Sequence, residues 1–302
     1  MPDFVLVLVA PAGHADPLAR LAMSAASACP DAAWSAPVWL GPGEAVEIPF
    51  TAVDAAAAGR VRTHLAQIAS GRPIDVCVVS ADRRRKRLLI ADMDSTIIEQ
   101  ECIDEMADVL GLKPQISAIT ERAMRGELAF EDALRARLGL LAGLDEAALQ
   151  RVYEDRVTLM PGARTLIVTM RSNGAYAALV SGGFTFFTAQ VASKVGFDEN
   201  RANTLAMEGG KLTGAVEGPI LGREAKLAAL QELTAAKGIE PVDTLAVGDG
   251  ANDLAMIKAA GLGVAYRAKP VVATEAHAAI THGDLTALLY LQGYRREEFL
   301  RT

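Results

Sequence analysis

The sequence predicts an α/β chain: a doubly wound parallel sheet with a helical cap inserted after its first strand, preceded by a small α/β unit. Three observations carry this. Short apolar runs without polar alternation recur from Leu88 onward, separated by helical stretches, as expected for strands covered on both faces. Between Ile103 and Val157 that rhythm stops and only helical periodicity remains. Before the basic run Arg83-Arg84-Arg85-Lys86-Arg87, a shorter alternation of strand and helix stands apart.

Taken in order, Phe4 to Val9 reads as a buried strand and Pro17 to Ala28 as an alanine-rich helix. Val46 to Val53 alternates like a strand, Ala55 to Ala69 is helical, and Ile74 to Val79 is again a strand. This β-α-β-α-β order is assigned to a first domain, residues 1–82, and the remainder, 83–302, to a second. In the second, Leu88–Ala91, Ala175–Val180, Thr244–Val247 and Leu262–Tyr266 are the sheet strands. The helical cap spans about 100–160: Ile103, Met106, Ala107 and Leu110 form one apolar stripe, and Phe130, Leu134, Leu138 and Leu141 another. Gly111, Gly126 and Gly143 punctuate these helices and Pro161-Gly162 closes the interval. Leu205 to Val216, with Gly209-Gly210 at its centre, reads as a β-hairpin.

Charge narrows the function classes. With 30 basic and 37 acidic side chains the formal net charge is −7, so the molecule as a whole repels polyanions and nucleic acid is not an expected partner. The basic run is read as a solvated inter-domain segment rather than a nucleic-acid patch. Phe4 to Ala10 is too short to cross a bilayer and follows an acid, so neither membrane nor secretion signal is expected. Three cysteines (Cys29, Cys77, Cys102) without paired spacing suit a reducing cytoplasmic compartment. The sequence allows a homodimer without specifying one.

Three sheet strands run into polar residues: Asp92-Met93-Asp94-Ser95-Thr96, Ser181-Gly182-Gly183-Phe184, and Gly248-Asp249-Gly250-Ala251-Asn252-Asp253. In an open α/β sheet, ligands bind at the carboxyl ends of the strands, and right-handed crossovers bring those ends to one edge. Asp92 and Asp94, two apart, project together if the strand geometry continues. Four acids at one edge (Asp92, Asp94, Asp249, Asp253) repel one another without a cation, and oxygen-only donors suit Mg²⁺. Lys226 can bring a positive charge to a phosphate there. Ser181 and the backbone N–H groups around Gly182 and Gly183 can donate to its oxygens. Taken singly, each Asp reads as a helix cap and Ser-Gly-Gly as a turn. Their recurrence at three strand ends points to chemistry.

On these motifs, with Lys226, the chain resembles the haloacid-dehalogenase-like phosphatase superfamily, and more narrowly the phosphoserine phosphatases. Glu101, Ala123-Met-Arg-Gly-Glu-Leu128, Leu134-Arg-Ala-Arg137, Leu212-Thr-Gly214 and Ala268-Lys-Pro270 extend the resemblance over roughly Leu88 to Leu291. It implies a Mg²⁺-dependent phosphatase acting on a small phosphoester, phosphoserine. Asp92 would be the nucleophile and Asp94 the acid and then base. The metal would be held by Asp92, the Asp94 backbone carbonyl, Asp249 and, more loosely, Asp253. Ser181 and Lys226 would stabilise the phosphoryl group, with Asn252 in support. In the cap, Glu101 would take the substrate ammonium and Arg137 its carboxylate, Arg135 being the competitor, while Met124 and Phe130 narrow the pocket. Glu101 also reads as favourable charge at a helix N-terminus. The first 82 residues resemble small ACT-like amino-acid-binding domains in shortened form. The alternatives are a phosphatase for another phosphoester, a phosphotransferase to an acceptor such as homoserine, and a non-enzymatic phospho-aspartate switch.

Overall fold

The computed structural model describes residues 3–124 and 127–300, without the side chain of Met124. Its first unit comprises β1 (Asp3–Val9), α1 (Ala15–Ala28), β2 (Ala33–Trp34), β3 (Val38–Gly41), β4 (Ala45–Thr51), α2 (Ala55–Ala69) and β5 (Asp75–Ser80). The sheet is antiparallel, in the order β2-β4-β1-β5, with β3 also paired to β4. Two strands are thus additional to the β-α-β-α-β order expected. They are short and half-exposed, so they carry no apolar run to read.

Strand periodicity explains how this unit sits. Leu6, Leu8 and Ala10 turn to one face, where they share a core with Leu18 and Leu21 of α1 and Leu65 of α2. Val5, Val7 and Val9 turn to the other face and join the core of the second unit, near Leu285 and Leu288. The first sheet is therefore covered by helices on one side and by the rest of the chain on the other.

Three backbone N–H groups, of Thr281, His282 and Gly283, donate to the buried Asp75 carboxylate at the seam. The basic run is solvated only in part: Arg83, Arg85 and Arg87 are exposed as expected, whereas Arg84 is half-buried and reaches across to the first unit and Lys86 is buried. Arg83 pairs with Glu240 and Asp243, and Arg84 with Glu47 across the seam at 2.7 Å. Arg85 pairs with Glu298 and stacks on Tyr294, and Lys86 is buried.

The second unit runs β6 (Leu88–Ala91), α3 (Cys102–Val109), α4 (Lys113–Met124), α5 (Phe130–Leu140), α6 (Glu146–Arg156), α7 (Ala163–Ser172), β7 (Tyr176–Phe184), α8 (Thr185–Val195), β8 (Glu199–Glu208) and β9 (Lys211–Glu217). It continues through α9 (Arg223–Ala236), β10 (Thr244–Gly248), α10 (Leu254–Ala259), β11 (Leu262–Tyr266), α11 (Pro270–Glu275), β12 (Ala278–Ile280) and α12 (Ala287–Leu291). The seven strands lie in the order β12-β11-β10-β6-β7-β8-β9. All pairs are parallel except β8–β9, so the sheet is mixed and not wholly parallel. The exception is the expected hairpin, whose first strand also extends the parallel sheet.

The cap helices α3 to α6 leave and return through a paired stem. Ile98 bridges Leu159, and Met160 N–H donates to the Ile97 carbonyl. Leu134, Leu138 and Leu141 are buried as their spacing predicts, whereas Leu110 is exposed at the end of α3. The far end of the cap leans on the hairpin, where Gly143 N–H donates to Leu212 O and Leu212 N–H to Leu144 O, both at 2.8 Å. No helix among the described residues is long and apolar enough to cross a membrane.

Candidate active site

The register of the central strands assembles the site. Ala91 of β6 lies beside Val247 of β10 and Leu179 of β7, so the residues that follow emerge at one level. Asp92 N–H still donates to the Val247 carbonyl, at 3.0 Å. The chain goes from β6 to β7 on one side and later returns to β10 on the other, so this edge is a topological switch point. Beyond Ala91 the strand geometry does not continue. Asp94 stands in a turn, with Ser95 in the left-handed region at φ 56°. Both aspartates nonetheless line one cavity of about 490 Å³ between the sheet edge and the cap.

Carboxylate oxygens of Asp92, Asp249 and Asp253 lie within 4.8 Å of one another. Lys226, buried on α9, places its Nζ 2.7 Å from Asp92 Oδ2 and 2.6 Å from Asp253 Oδ1. Burial opposes its charge, but these two carboxylates outweigh burial and hold the ammonium above its ordinary pKa. Burial and then the Asp92 charge push Asp249 up to about 6 and Asp253 up to about 7, against the pull of Lys226. One ammonium therefore does not neutralise three acids. The donor set, all carboxylate, with Asp92 and Asp253 buried and Asp249 half-buried, fits Mg²⁺.

Helix capping does not account for these acids. Asp253 precedes α10 without capping it. Its Oδ2 instead accepts from Gly250 N–H at 3.0 Å. Gly248 is required where β10 ends, because a Cβ there would lie 2.3 Å from Asp253 Cγ.

Asp94 is the outlier among the four. Its Oδ1 is buried without a hydrogen-bond partner. Burial, then Glu101 and Asp92, hold its carboxyl well above the usual carboxylate range. A raised pKa favours the protonated form that a leaving-group acid needs. Across from it, the Ser181 hydroxyl accepts from Gly183 N–H at 2.9 Å, leaving its own proton to donate outward. The Gly183 N–H is thus turned to Ser181 rather than offered to a phosphate as expected. A Cβ on Gly183 would stand 3.1 Å from Ser181 Oγ and 3.3 Å from Asp94 Oδ2, so a side chain there would press on both catalytic groups.

On the cap side, Glu101 occupies the N-cap position of α3 but makes no capping bond with its side chain. Its Oε1 instead accepts from Ser95 Oγ at 2.7 Å within the cavity lining. Arg137 lines the cavity from α5, with its guanidinium bonded to Ala133 O and Thr120 Oγ1. Burial pulls its pKa down, against the attraction of Asp104 and Glu101. Arg135 points away and pairs with Glu131 and Asp132 on the exposed face. Phe130 reaches over the sheet edge, where a Cβ on Gly182 or Gly222 would meet its ring at 3.4 and 3.5 Å. Asn252 also lines the cavity. The side chain of Met124 lies outside the described residues.

Sequence reasoning missed three supporting groups. Thr96 donates to Asp249 Oδ1 at 3.3 Å, and Thr120 holds Arg137. Buried Asn203 on β8 donates to Gly182 O and accepts from Leu221 N–H, tying the Ser-Gly-Gly turn to the segment that leads into α9. Thr96 sits inside a motif and was within reach. Asn203 and Thr120 follow no local pattern.

Comparison with known proteins agrees with this geometry. Residues 89–258 match the haloacid dehalogenase-like hydrolases. A phosphoserine phosphatase of Streptomyces coelicolor is 46% identical over 256 residues, which are 83% of this chain and 62% of that protein. The chain therefore spans less than two thirds of that relative's length. A HAD family hydrolase from Salmonella enterica serovar Typhi superposes with a TM-score of 0.83 over 95% of this chain and 98% of its own, at 28% identity. A phospho-aspartyl intermediate analogue of phosphoserine phosphatase superposes with a TM-score of 0.64, at 40% identity, over 68% of this chain and 98% of its own.

Proposed function

The chain belongs to the haloacid dehalogenase-like hydrolases, closely related to the phosphoserine phosphatases, and from that premise we propose that it hydrolyses O-phospho-L-serine to L-serine and phosphate through a phospho-aspartate on Asp92. One observation carries the proposal. Three acids and a lysine converge at the carboxyl edge of the sheet, beside a fourth acid whose carboxyl is pushed well above the usual range.

In this reading Asp92 attacks phosphorus while Asp94 gives its proton to the departing serine oxygen. Asp94, now a base, then takes a proton from the water that hydrolyses the phospho-aspartate, so one group serves both half-reactions. Mg²⁺, held by Asp92, the Asp94 carbonyl, Asp249 and Asp253, would screen the nucleophile from the phosphoryl oxygens. Lys226 and Ser181 position the phosphoryl group by charge and hydrogen bonding, with Asn252 beside them. Glu101 takes the ammonium and Arg137 the carboxylate, for which its planar fork is suited. Phe130, with Met124, narrows the entrance.

The same reading divides the chain at residues 82 and 83, with a cap over about 100–160 and an ACT-like first unit. An antiparallel sheet with two helices on one face supports that likeness. Three free thiols support a reducing, cytoplasmic setting.

Phosphate release from L-phosphoserine, from a panel of sugar phosphates and in the presence of acceptor alcohols, with and without Mg²⁺, tests the proposal. It expects Mg²⁺-dependent release that is fastest from phosphoserine. Preference for a sugar phosphate, or transfer to homoserine in place of release, would replace it.

A further inference from the structure

A second cavity, of about 390 Å³, lies at the seam between the two units, away from the acidic site. Its walls come from both units: Phe4 and Val79 on one side, Leu262 and Leu291 on the other. Every charged side chain lining it is basic, namely Arg62, Arg84 and Lys86, and the His277 imidazole lies beside them. In a chain of net charge −7 this is a local reversal of sign.

Lys86 is the decisive residue. It is 7% exposed, and its ammonium donates to the carbonyls of Arg83 and Val242, each at 2.8 Å. Among the described residues no carboxylate pairs with it, and one of its three N–H donors remains for another partner. A buried charge is ordinarily matched by an opposite one. Arg84 is already matched by Glu47 at 2.7 Å. Arg62 is not: its recorded bond is to the His277 carbonyl, at 3.1 Å. His277 Nδ1 accepts from Gly263 N–H at 2.8 Å, which makes Nε2 the protonated nitrogen, a further donor. Burial, then Lys86 and Arg62, pushes the His277 pKa down, and burial lowers Lys86 against the attraction of Asp243 and Asp82, neither of which lines the cavity.

We propose that this seam cavity binds a small organic carboxylate with a branched apolar body and no ammonium group. Arg62, Lys86 and His277 would meet the carboxylate, and Phe4, Val79, Leu262 and Leu291 the body. No acidic side chain lines the cavity to receive an ammonium, which sets the ligand apart from an amino acid. Because both units supply walls, the bound anion fastens the seam.

Calorimetric titration of the full chain with α-ketoisocaproate, L-leucine and isoamyl alcohol tests this. The three share a branched skeleton and differ in charge. The proposal expects one molecule of the keto acid per chain and binding of the other two about tenfold weaker or worse. It expects Arg62→Gln and Lys86→Gln each to weaken keto-acid binding about tenfold or more. Arg137→Ala should leave that binding unchanged, which separates it from the active site, and Arg62→Gln should leave turnover of an aryl phosphate unchanged. Should Lys86→Gln fail to fold, Arg62→Gln decides alone. A keto-acid dissociation constant weaker than about 1 mM would overturn the proposal. So would equal affinity for leucine, undiminished binding by Arg62→Gln, or loss of binding in Arg137→Ala.

Discussion

The aspartates at the edge of the sheet illustrate how burial assigns different work to identical side chains. Asp94 has no partner on its inner oxygen and its carboxyl is held well above the usual range, whereas Asp92 faces Lys226 directly. Asp92→Asn should keep the fold, by circular dichroism, and abolish turnover. Activity within a few-fold of the parent would remove Asp92 as nucleophile. Asp249 and Asp253 bear raised pKa values, so without metal the native state holds protons that the unfolded chain has already released. Stability of the metal-free protein should therefore fall as pH rises from the ordinary 3.8 through about 6 to 7. Mg²⁺ binds the ionised carboxylates and offsets that loss. Its effect on Tm should be larger near pH 8 than near pH 5, and a gain independent of pH would show that these acids are not its ligands. Gly248→Ala should cost about 1–3 kcal/mol and weaken metal binding, since its new Cβ would displace the Asp253 carboxylate. The acids and Ser181 were legible in the sequence because they follow strands in motifs, and Lys226, within a helical stretch, through the resemblance. The preference for Arg137 over Arg135 was not. Both lie on one helix, and only packing shows which faces the cavity and which pairs with Glu131.

At the scale of elements, the cap is held by a stem and by the hairpin. The stem pairs Ile98 with Leu159, and the hairpin β8–β9 supports the turn after α5. The strands that carry chemistry were readable because burial on both faces leaves unbroken apolar runs. β8 was only half read, since its first half (Glu199 to Arg201) is polar and carries no apolar run where it pairs with β7. Asn203 in that strand fixes the Ser-Gly-Gly turn to the segment before α9. Asn203→Ala would leave buried backbone groups unpaired, at about 1–3 kcal/mol. Denaturant titration should show that loss together with lowered kcat, and unchanged values in both would mean the turn holds itself.

For the molecule as a whole, the first unit is part of the enzyme's core rather than an appendage. Its first strand was visible as an unbroken apolar run from Phe4 to Val9, but the run could not say that Val5, Val7 and Val9 face the second unit. Nor could the basic run announce its partners, because Glu47, Glu240, Asp243 and Glu298 are remote in sequence. Asp75→Ala should loosen the seam, leaving three N–H groups, that of Gly283 buried, without their acceptor, and lower Tm by several degrees. Thermal unfolding of that variant at the parent's Tm would place the strength of the seam elsewhere.

The covalent step is the centre of this account, and it can be read directly. Enzyme turning over L-phosphoserine with Mg²⁺ is quenched in acid, reduced with borohydride and mapped by peptide mass spectrometry. An acyl phosphate is thereby converted to homoserine at the residue that carried it. The account predicts conversion at Asp92 and at no other aspartate. Conversion elsewhere, or rapid phosphate release with every aspartate intact, would contradict it.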